Sequence, residues 1–591
     1  MSARAFRNTP NDGRTIVPRL MGSRGAVTSE HYLSADAGAE ILKAGGNAVD
    51  AAVAAVLVEG LLNPQMNSIG GECPILIYMA DSGEVIALNG NMAAPAAATP
   101  EAFRSRGYTD APSEGVMAAG VPATPSALIT ALKRFGTMSF ADVAAPAIEL
   151  ARDGAPQHCG VIGQEKFGLR DLADKFRDSW PSSADLYLDD GQIPAEGAIF
   201  KNPALAGMLE LLAQTERAAA GDRGQKLDAV HAEFYRGAIA DEIAAFSAQH
   251  QGLLARKDLE AFETYLEKPL SREFGDARLF KCGFWTQGPA SLQVLALMEQ
   301  FDPASLGHNS ADYLHLLIEA TKLAYADREQ FYGDARFAEV PAENLLSDEY
   351  ARSRASLISM DVANGDLRPG DAFARKSLLP EADLFRLKPW GHGTVHVDVI
   401  DKHGNMVAAT PSGGWIASSP VIPSLGFPLG NRMMTFYLEP SNHPNVVAPG
   451  KRPRTTISPS LAFRGGKPWM VFGSMGGDQQ EQWQLQFFLN RVLFGMTVQE
   501  AIEAPKISSE HYPGFFAPHN SFPNLVRIEP RIREDVIAEL RRRGHEVEVA
   551  VDWSEGYVLA ASRDADTGML EAGFDPRGAK SEIFPAYAQC W

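Results

Sequence analysis

The sequence reads as an α+β protein. Helical periodicity dominates roughly residues 100–390, alternating strands take over after His392, and a strand pair precedes the helical block at 73–89. The late strands read as part of one core shared with the earlier elements.

In chain order, Ser34 reads as the cap of a short helix ending at Gly45-Gly46. Asn47 reads as the cap of a second helix, 48–59, with Asp50 in its first turn, where the helix dipole favours an acid. That helix is mostly Ala and Val, so it reads as buried and closely packed on a sheet. Residues 63–71 are a loop of breakers. Strands at 73–79 and 84–89 follow, joined by Asp81-Ser82-Gly83. Helices are predicted at 125–134, 140–152, 204–214 and 313–332. Residues 366–392 are charged, carry Pro369, Pro380 and Pro389, and read as a mobile loop. Residues 394–400 alternate with valines on one face, 401–405 turn, and 406–410 return. Further strands are predicted at 461–463, 468–472, 547–551 and 557–562, and helices at 479–493, 498–504 and 534–543. The change of pattern near Gly393 is the strongest boundary in the chain.

Of 591 residues, 45% are hydrophobic and 21% charged, enough apolar material for a large core. Acidic residues outnumber basic ones 73 to 54, and a net charge of −19 argues against a nucleic-acid partner. The four cysteines, at 73, 159, 282 and 590, form no metal-ligand spacing. They read as buried thiols of a reducing compartment. No apolar stretch in residues 1–24 suggests a secretory leader, and no run is long enough to span a membrane. These features lead to the expectation of a soluble cytoplasmic protein without a metal or other cofactor.

Local pattern alone leaves the chemistry open. Thr394 opens a strand and reads as an ordinary edge-strand residue. Gly473-Ser474-Met475-Gly476-Gly477 lies between a strand and a helix. It could aim backbone N–H groups at a phosphate or oxyanion, or simply be a tight turn needing positive φ. It lacks the Lys of a phosphate-binding P-loop. Lys451-Arg452-Pro453-Arg454 could dock a carboxylate, although a short basic run is more often solvated. His392 and His396 have no metal spacing and read as structural or exposed.

The order of these pieces resembles the γ-glutamyltransferase family of N-terminal-nucleophile hydrolases. The resemblance is carried by Ala44-Gly45-Gly46-Asn47-Ala48-Val49-Asp50, Ile69-Gly70-Gly71, Ala119-Gly120-Val121-Pro122 and Ala151-Arg152-Asp153-Gly154. It continues through Gly393-Thr394-Val395-His396, Asp401-Lys402-His403-Gly404-Asn405, Lys451-Arg452-Pro453, Ser458-Pro459, Gly473–Gly477 and Asp575-Pro576-Arg577.

The resemblance implies a four-layer αββα sandwich. It also implies a precursor that cuts itself between Gly393 and Thr394 into a large fragment, 1–393, and a small catalytic fragment, 394–591. The two would remain together as a heterodimer in one compact domain. The loop 366–392 would be the tail of the large fragment. Thr394 would be the nucleophile, with its freed α-amine as base. Gly476 and Gly477 would form the oxyanion hole. Ser412 would take the place of a second Thr that bonds the nucleophile.

At the substrate pocket the chain departs from the family. Asn91 stands where an Arg holds the glutamyl α-carboxylate, and Thr435 where an Asp holds the α-ammonium. Gly414 replaces a substrate-binding Asn. Thr455 and Thr456 replace two Ser and keep the hydroxyls. Arg432 is a new cation in this segment. Each lost charge-assisted contact is typically worth about 1.5–3 kcal/mol. The substrate is therefore expected to be a small-molecule amide with a carboxylated acyl group docked by Arg432, Arg452 or Arg454. Oxamate-type amidases and cephalosporin or glutaryl acylases are the family precedents, beside the default of γ-glutamyl amides. A nucleotide- or phosphate-binding enzyme using 473–477, and a non-catalytic binding protein on the same fold, are the competing readings.

Overall fold

A computed structural model describes residues 15–371, 393–580 and 583–591. Most of the predicted loop 366–392, and His392 with it, lies outside the described residues. Two seven-stranded antiparallel sheets form the centre. Their strands are β1 (Leu20–Gly22), β2 (Gly25–Ser29), β3 (Ile75–Met79), β4 (Glu84–Asn89), β5 (Tyr265–Glu267), β6 (Leu270–Phe274) and β7 (Ala277–Lys281). From the other side of Gly393 come β8 (Val397–Asp401), β9 (Met406–Ala409), β10 (Ser460–Arg464), β11 (Lys467–Ser474), β12 (Val558–Arg563), β13 (Leu570–Gly573) and β14 (Tyr587–Cys590). One sheet has the order β14-β2-β8-β9-β3-β4-β5 and the other β1-β13-β12-β11-β10-β7-β6.

The layers follow from which side chains meet. Leu76, Tyr78, Ile400 and Met406 of the first sheet pack against Leu461, Val471, Ala561 and Ala572 of the second. Val397 and Val399 point the other way, onto helices α1 (Tyr32–Lys43) and α2 (Ala48–Leu62). Two of the three predicted one-sided valines, Val397 and Val399, are thus on the helix-facing side, whereas Val395 packs in the core of the second sheet and its helices. Met470 and Phe472 of the second sheet pack on α3 (Pro289–Met298), α4 (Ala311–Phe331) and α5 (Gln479–Leu493). The result is the expected αββα sandwich. Both sheets interleave strands from either side of Gly393. In the first, β8 pairs with β2 from Val397↔Ser29 to Asp401↔Gly25; in the second, β10 pairs with β7.

α2 forms as its sequence dictates. The Asn47 side chain accepts from the Val49 and Asp50 N–H groups, and Asp50 accepts in return from the Asn47 N–H, closing a capping box. Fourteen of the fifteen α2 residues are buried, so the helix is apolar all round because it is covered all round.

Some expectations need correcting. His31, not Ser34, caps α1: its Nδ1 accepts from the Leu33 N–H at 3.2 Å, while Ser34 is buried and donates to the Ala55 carbonyl at 2.8 Å. The block 100–390 is not purely helical, since β5, β6 and β7 complete an edge of each sheet. Thr394 leads into β8, third of seven strands, and is not an edge residue. Lys451, Arg452 and Arg454 are buried rather than solvated. Cys73 and Cys282 are buried, but Cys159 and Cys590 are partly exposed.

Candidate active site

Thr394 sits at the head of β8 with the chain continuous through Gly393, and is only 3% exposed. It forms an isolated antiparallel bridge with Ser412, and Val395 donates to the Pro411 carbonyl at 3.1 Å. The segment after β9 is thereby laid alongside Thr394. Ser412 is pinned from its other side by Glu72, through reciprocal backbone bonds of 2.8 and 2.9 Å.

The side chains converge on one atom, the carbonyl oxygen of Gly393. Ser412 Oγ donates to it at 2.7 Å, Trp415 Nε1 at 2.8 Å, and Thr394 Oγ1 lies 2.9 Å away. Thr394 Oγ1 and Ser412 Oγ are 3.0 Å apart. Arg432 donates through Nη2 to Ser412 Oγ and through Nε to Glu72 Oε1 at 2.5 Å. Thr455 Oγ1 adds a bond to the same Glu72 oxygen at 3.3 Å. Burial pushes the Glu72 carboxyl upward from the ordinary range, and the Arg432 guanidinium opposes that rise. Thr394, Ser412, Arg432 and Thr455 therefore belong to one network, joined by Glu72 and Trp415.

The other expected site residues lie outside this network. Asn91 donates to the Pro453 carbonyl at 2.5 Å, and its Oδ1 is buried without a hydrogen-bond partner among the described residues. Thr435 Oγ1 turns back onto the Arg432 carbonyl at 2.8 Å. Thr456 Oγ1 lies 3.5 Å from the Gln480 amide. Gly476 and Gly477 adopt φ of +119° and +57°, the tight-turn geometry anticipated for this loop. With its amide turned to satisfy both partners, Gln480 donates to the Ser474 carbonyl at 3.0 Å and accepts from the Gly477 N–H at 3.2 Å.

All three arginines considered for carboxylate docking already have partners, Arg432 on Glu72 and Ser412. Arg454 forms a fork on Glu329, at 2.9 and 3.0 Å. Burial alone would raise the Glu329 carboxyl, yet Arg454 and Arg328 hold it down at about 2. Arg452 is spent on the Asn89 side chain, at 2.8 Å, and on the backbone carbonyls of Asn89 and Glu263. These two hold the fold, and Arg432 is the arginine that reaches the Thr394–Ser412 pair. His396 is fully buried between Thr410 Oγ1 and Asp398 Oδ1, at 2.9 and 2.8 Å, and is structural as expected. A cavity of about 750 Å³ lined by Arg19, Trp469, Arg491 and Glu571 contains none of these site residues.

A glycine–threonine junction at the head of an inner strand of an αββα sandwich, with a hydroxyl beside it, fits an N-terminal-nucleophile hydrolase. The chain belongs to the gamma-glutamyltranspeptidase family, whose model matches residues 34–584. The solved structure of LmbA2991HD is 41% identical, with a TM-score of 0.90, covering 97% of this chain and 99% of that one. The cephalosporin acylase from Bacillus halodurans is 29% identical at a TM-score of 0.84, covering 100% and 99%. The oxamate amidohydrolase proenzyme of Klebsiella pneumoniae is 31% identical over 571 residues, 94% of this chain and 98% of its own. The protein is thus an enzyme of this hydrolase class.

Glu72 and Trp415 were missed in the sequence. A single acid between Gly71 and an apolar strand, and a Trp directly after Gly413-Gly414, were the available signals.

Proposed function

We propose that the chain is a self-cleaving N-terminal-threonine amide hydrolase or acyltransferase. It cuts its own Gly393–Thr394 bond, and fragments 1–393 and 394–591 stay together through their interleaved sheets. The carrying observation is the convergence of Thr394 Oγ1 and Ser412 Oγ on the Gly393 carbonyl. Before cleavage the Thr394 nitrogen is an amide and cannot act as a base. Afterwards it is an α-amine with an ordinary pKa of roughly 7.7–8.0, suited to drawing the proton from Oγ1 at neutral pH. Thr394 then attacks the substrate amide, forms an acyl-enzyme, and passes the acyl group to water or another acceptor. Gly476 and Gly477 serve as oxyanion donors for this second reaction once Gln480 releases the Gly477 N–H.

The substrate proposed is a small amide with a carboxylated acyl group. Arg432, the cation beside Ser412, receives the carboxylate in exchange for its bond to Ser412 Oγ, while Glu72 keeps its other edge. Asn91 and Thr435 supply no charges for a free α-amino acid head. Relatives named oxamate amidohydrolase and cephalosporin acylase are precedents for this choice, beside relatives named glutathione hydrolase. A hydrolysis panel of glutathione and γ-glutamyl anilide against glutaryl and oxamate-type amides tests it. Preference for the latter pair is expected, and strong preference for γ-glutamyl compounds overturns the substrate assignment.

A further inference from the structure

We propose that Trp415 is a catalytic residue of self-cleavage: its indole N–H and the Ser412 hydroxyl together form the oxyanion hole for the intermediate at Gly393. The inference rests on the self-cleavage reading above and assigns it a residue of its own, separate from the Gly476–Gly477 pair assigned to substrate turnover.

The indole is buried and clamped. Phe167 meets it edge-on at 5.0 Å and 88°, and the Arg432 guanidinium lies 4.9 Å from its ring centre on the face. A cation over the face withdraws electron density and strengthens the N–H as a donor. The approach to the scissile residue is so close that a Cβ at Gly393 would lie 2.8 Å from Trp415 Cε2 and Nε1. Glycine at 393 is therefore required by the indole, and not only by access for the nucleophile.

Trp415 Nε1 lies 2.8 Å from both the Met66 and the Gly393 carbonyl oxygens. The single N–H is shared in the uncut chain. As negative charge grows on the Gly393 oxygen, the proton swings to that acceptor, so the interaction strengthens in the transition state rather than in the ground state. After cleavage Met66 still receives it, and no buried donor is orphaned.

The Thr394 hydroxyl is within hydrogen-bond distance of both the Gly393 oxygen and Ser412 Oγ, and the attack uses the arrangement in which it donates to Ser412. Ser412 has one proton, donated to the Gly393 oxygen, and its lone pairs accept from Arg432 and from Thr394. In that arrangement the Thr394 hydroxyl proton points at Ser412, leaving the Oγ1 lone pairs for the Gly393 carbon. Oγ1 bonds to that carbon, and the carbonyl pair moves onto the oxygen held by Trp415 and Ser412. The C–N bond then breaks as the hydroxyl proton reaches the Thr394 nitrogen, giving an ester of Gly393 on Oγ1. Water hydrolyses the ester to the Gly393 carboxylate and restores the hydroxyl.

The test follows cleavage of freshly synthesised full-length chain on denaturing gels. Trp415→Phe keeps an aromatic ring and removes the donor. Self-cleavage is expected to slow by about 10²–10³-fold, the usual effect of losing one oxyanion donor. Should Trp415→Phe fail to fold by circular dichroism, 3-benzothienylalanine at position 415 keeps the indole shape and replaces the N–H with sulfur; the same slowing is expected. A folded variant of either kind that cleaves within twofold of the wild-type rate overturns the role of Trp415. Thr394→Ala serves as the separate control: cleavage there would sink the self-cleavage reading itself, whereas an intact Thr394→Ala beside a fast Trp415→Phe sinks only this inference.

Discussion

The Glu72–Arg432 pair is buried on both sides, at 0% and 1% side-chain exposure, and its two members should not fail alike. Glu72→Gln strands a guanidinium that cannot shed its proton. An uncompensated buried charge of this kind costs about 3–5 kcal/mol. Arg432→Met strands a carboxyl that burial already pushes upward. It can take a proton instead, so its cost depends on pH. The folded pKa of that carboxyl would stand above its unfolded value. Its contribution is then intact below the unfolded value and is lost as pH rises through the folded one. The loss grows by up to about 1.4 kcal/mol per pH unit. Urea unfolding in a Thr394→Ala background, which keeps one chain, should show Glu72→Gln weakened by a similar amount at pH 5.5 and pH 8. Arg432→Met should be mildly weakened at pH 5.5 and much more so at pH 8. Equal losses for both variants with no pH dependence would refute the reasoning.

Ser412→Ala removes a donor to the Gly393 oxygen, and self-cleavage followed by gel should slow about 10²–10³-fold. Ser412→Thr, which keeps the hydroxyl, should stay within about tenfold of wild type on the same gels. Glu329→Gln deprives Arg454 and Arg328 of their shared carboxylate and should cost about 3–5 kcal/mol in urea unfolding. Glu510 is raised to about 8 by burial, with Glu555 and Asp478 adding to the rise. A raised acid contributes stability below its unfolded pKa that is lost as pH climbs toward about 8. Between pH 6 and pH 9 the wild type should therefore lose about 2–3 kcal/mol more than Glu510→Gln.

What could be read from the sequence depended on how far apart the interacting groups lie. The α2 cap was readable because Asn47 and Asp50 satisfy each other within one turn. The same Asp50 also accepts from the Thr137 N–H and hydroxyl and from the Met138 N–H, bonds across 87 and 88 residues that no local pattern announces. The basic run at 451–454 was misjudged for the same reason. Its two arginines are anchored on Glu329, Asn89 and Asp334, all more than 100 residues away. Strand β8 alternated clearly because one face meets helices and the other a second sheet. The edge strands β5 and β6 escaped notice because each carries charged residues at half-exposed positions. At the candidate site, Thr394 and Ser412 fall in motifs whose order the sequence shows. Glu72 and Trp415 act through contacts with Arg432 and Gly393 that only the folded chain brings together.

Denaturing mass spectrometry of freshly purified protein bears most directly on the central claim. Two species should appear, one of 393 residues and one of the remaining 198 of 591, co-migrating under native conditions. Catalytically active protein that weighs as one unbroken 591-residue chain would contradict the account.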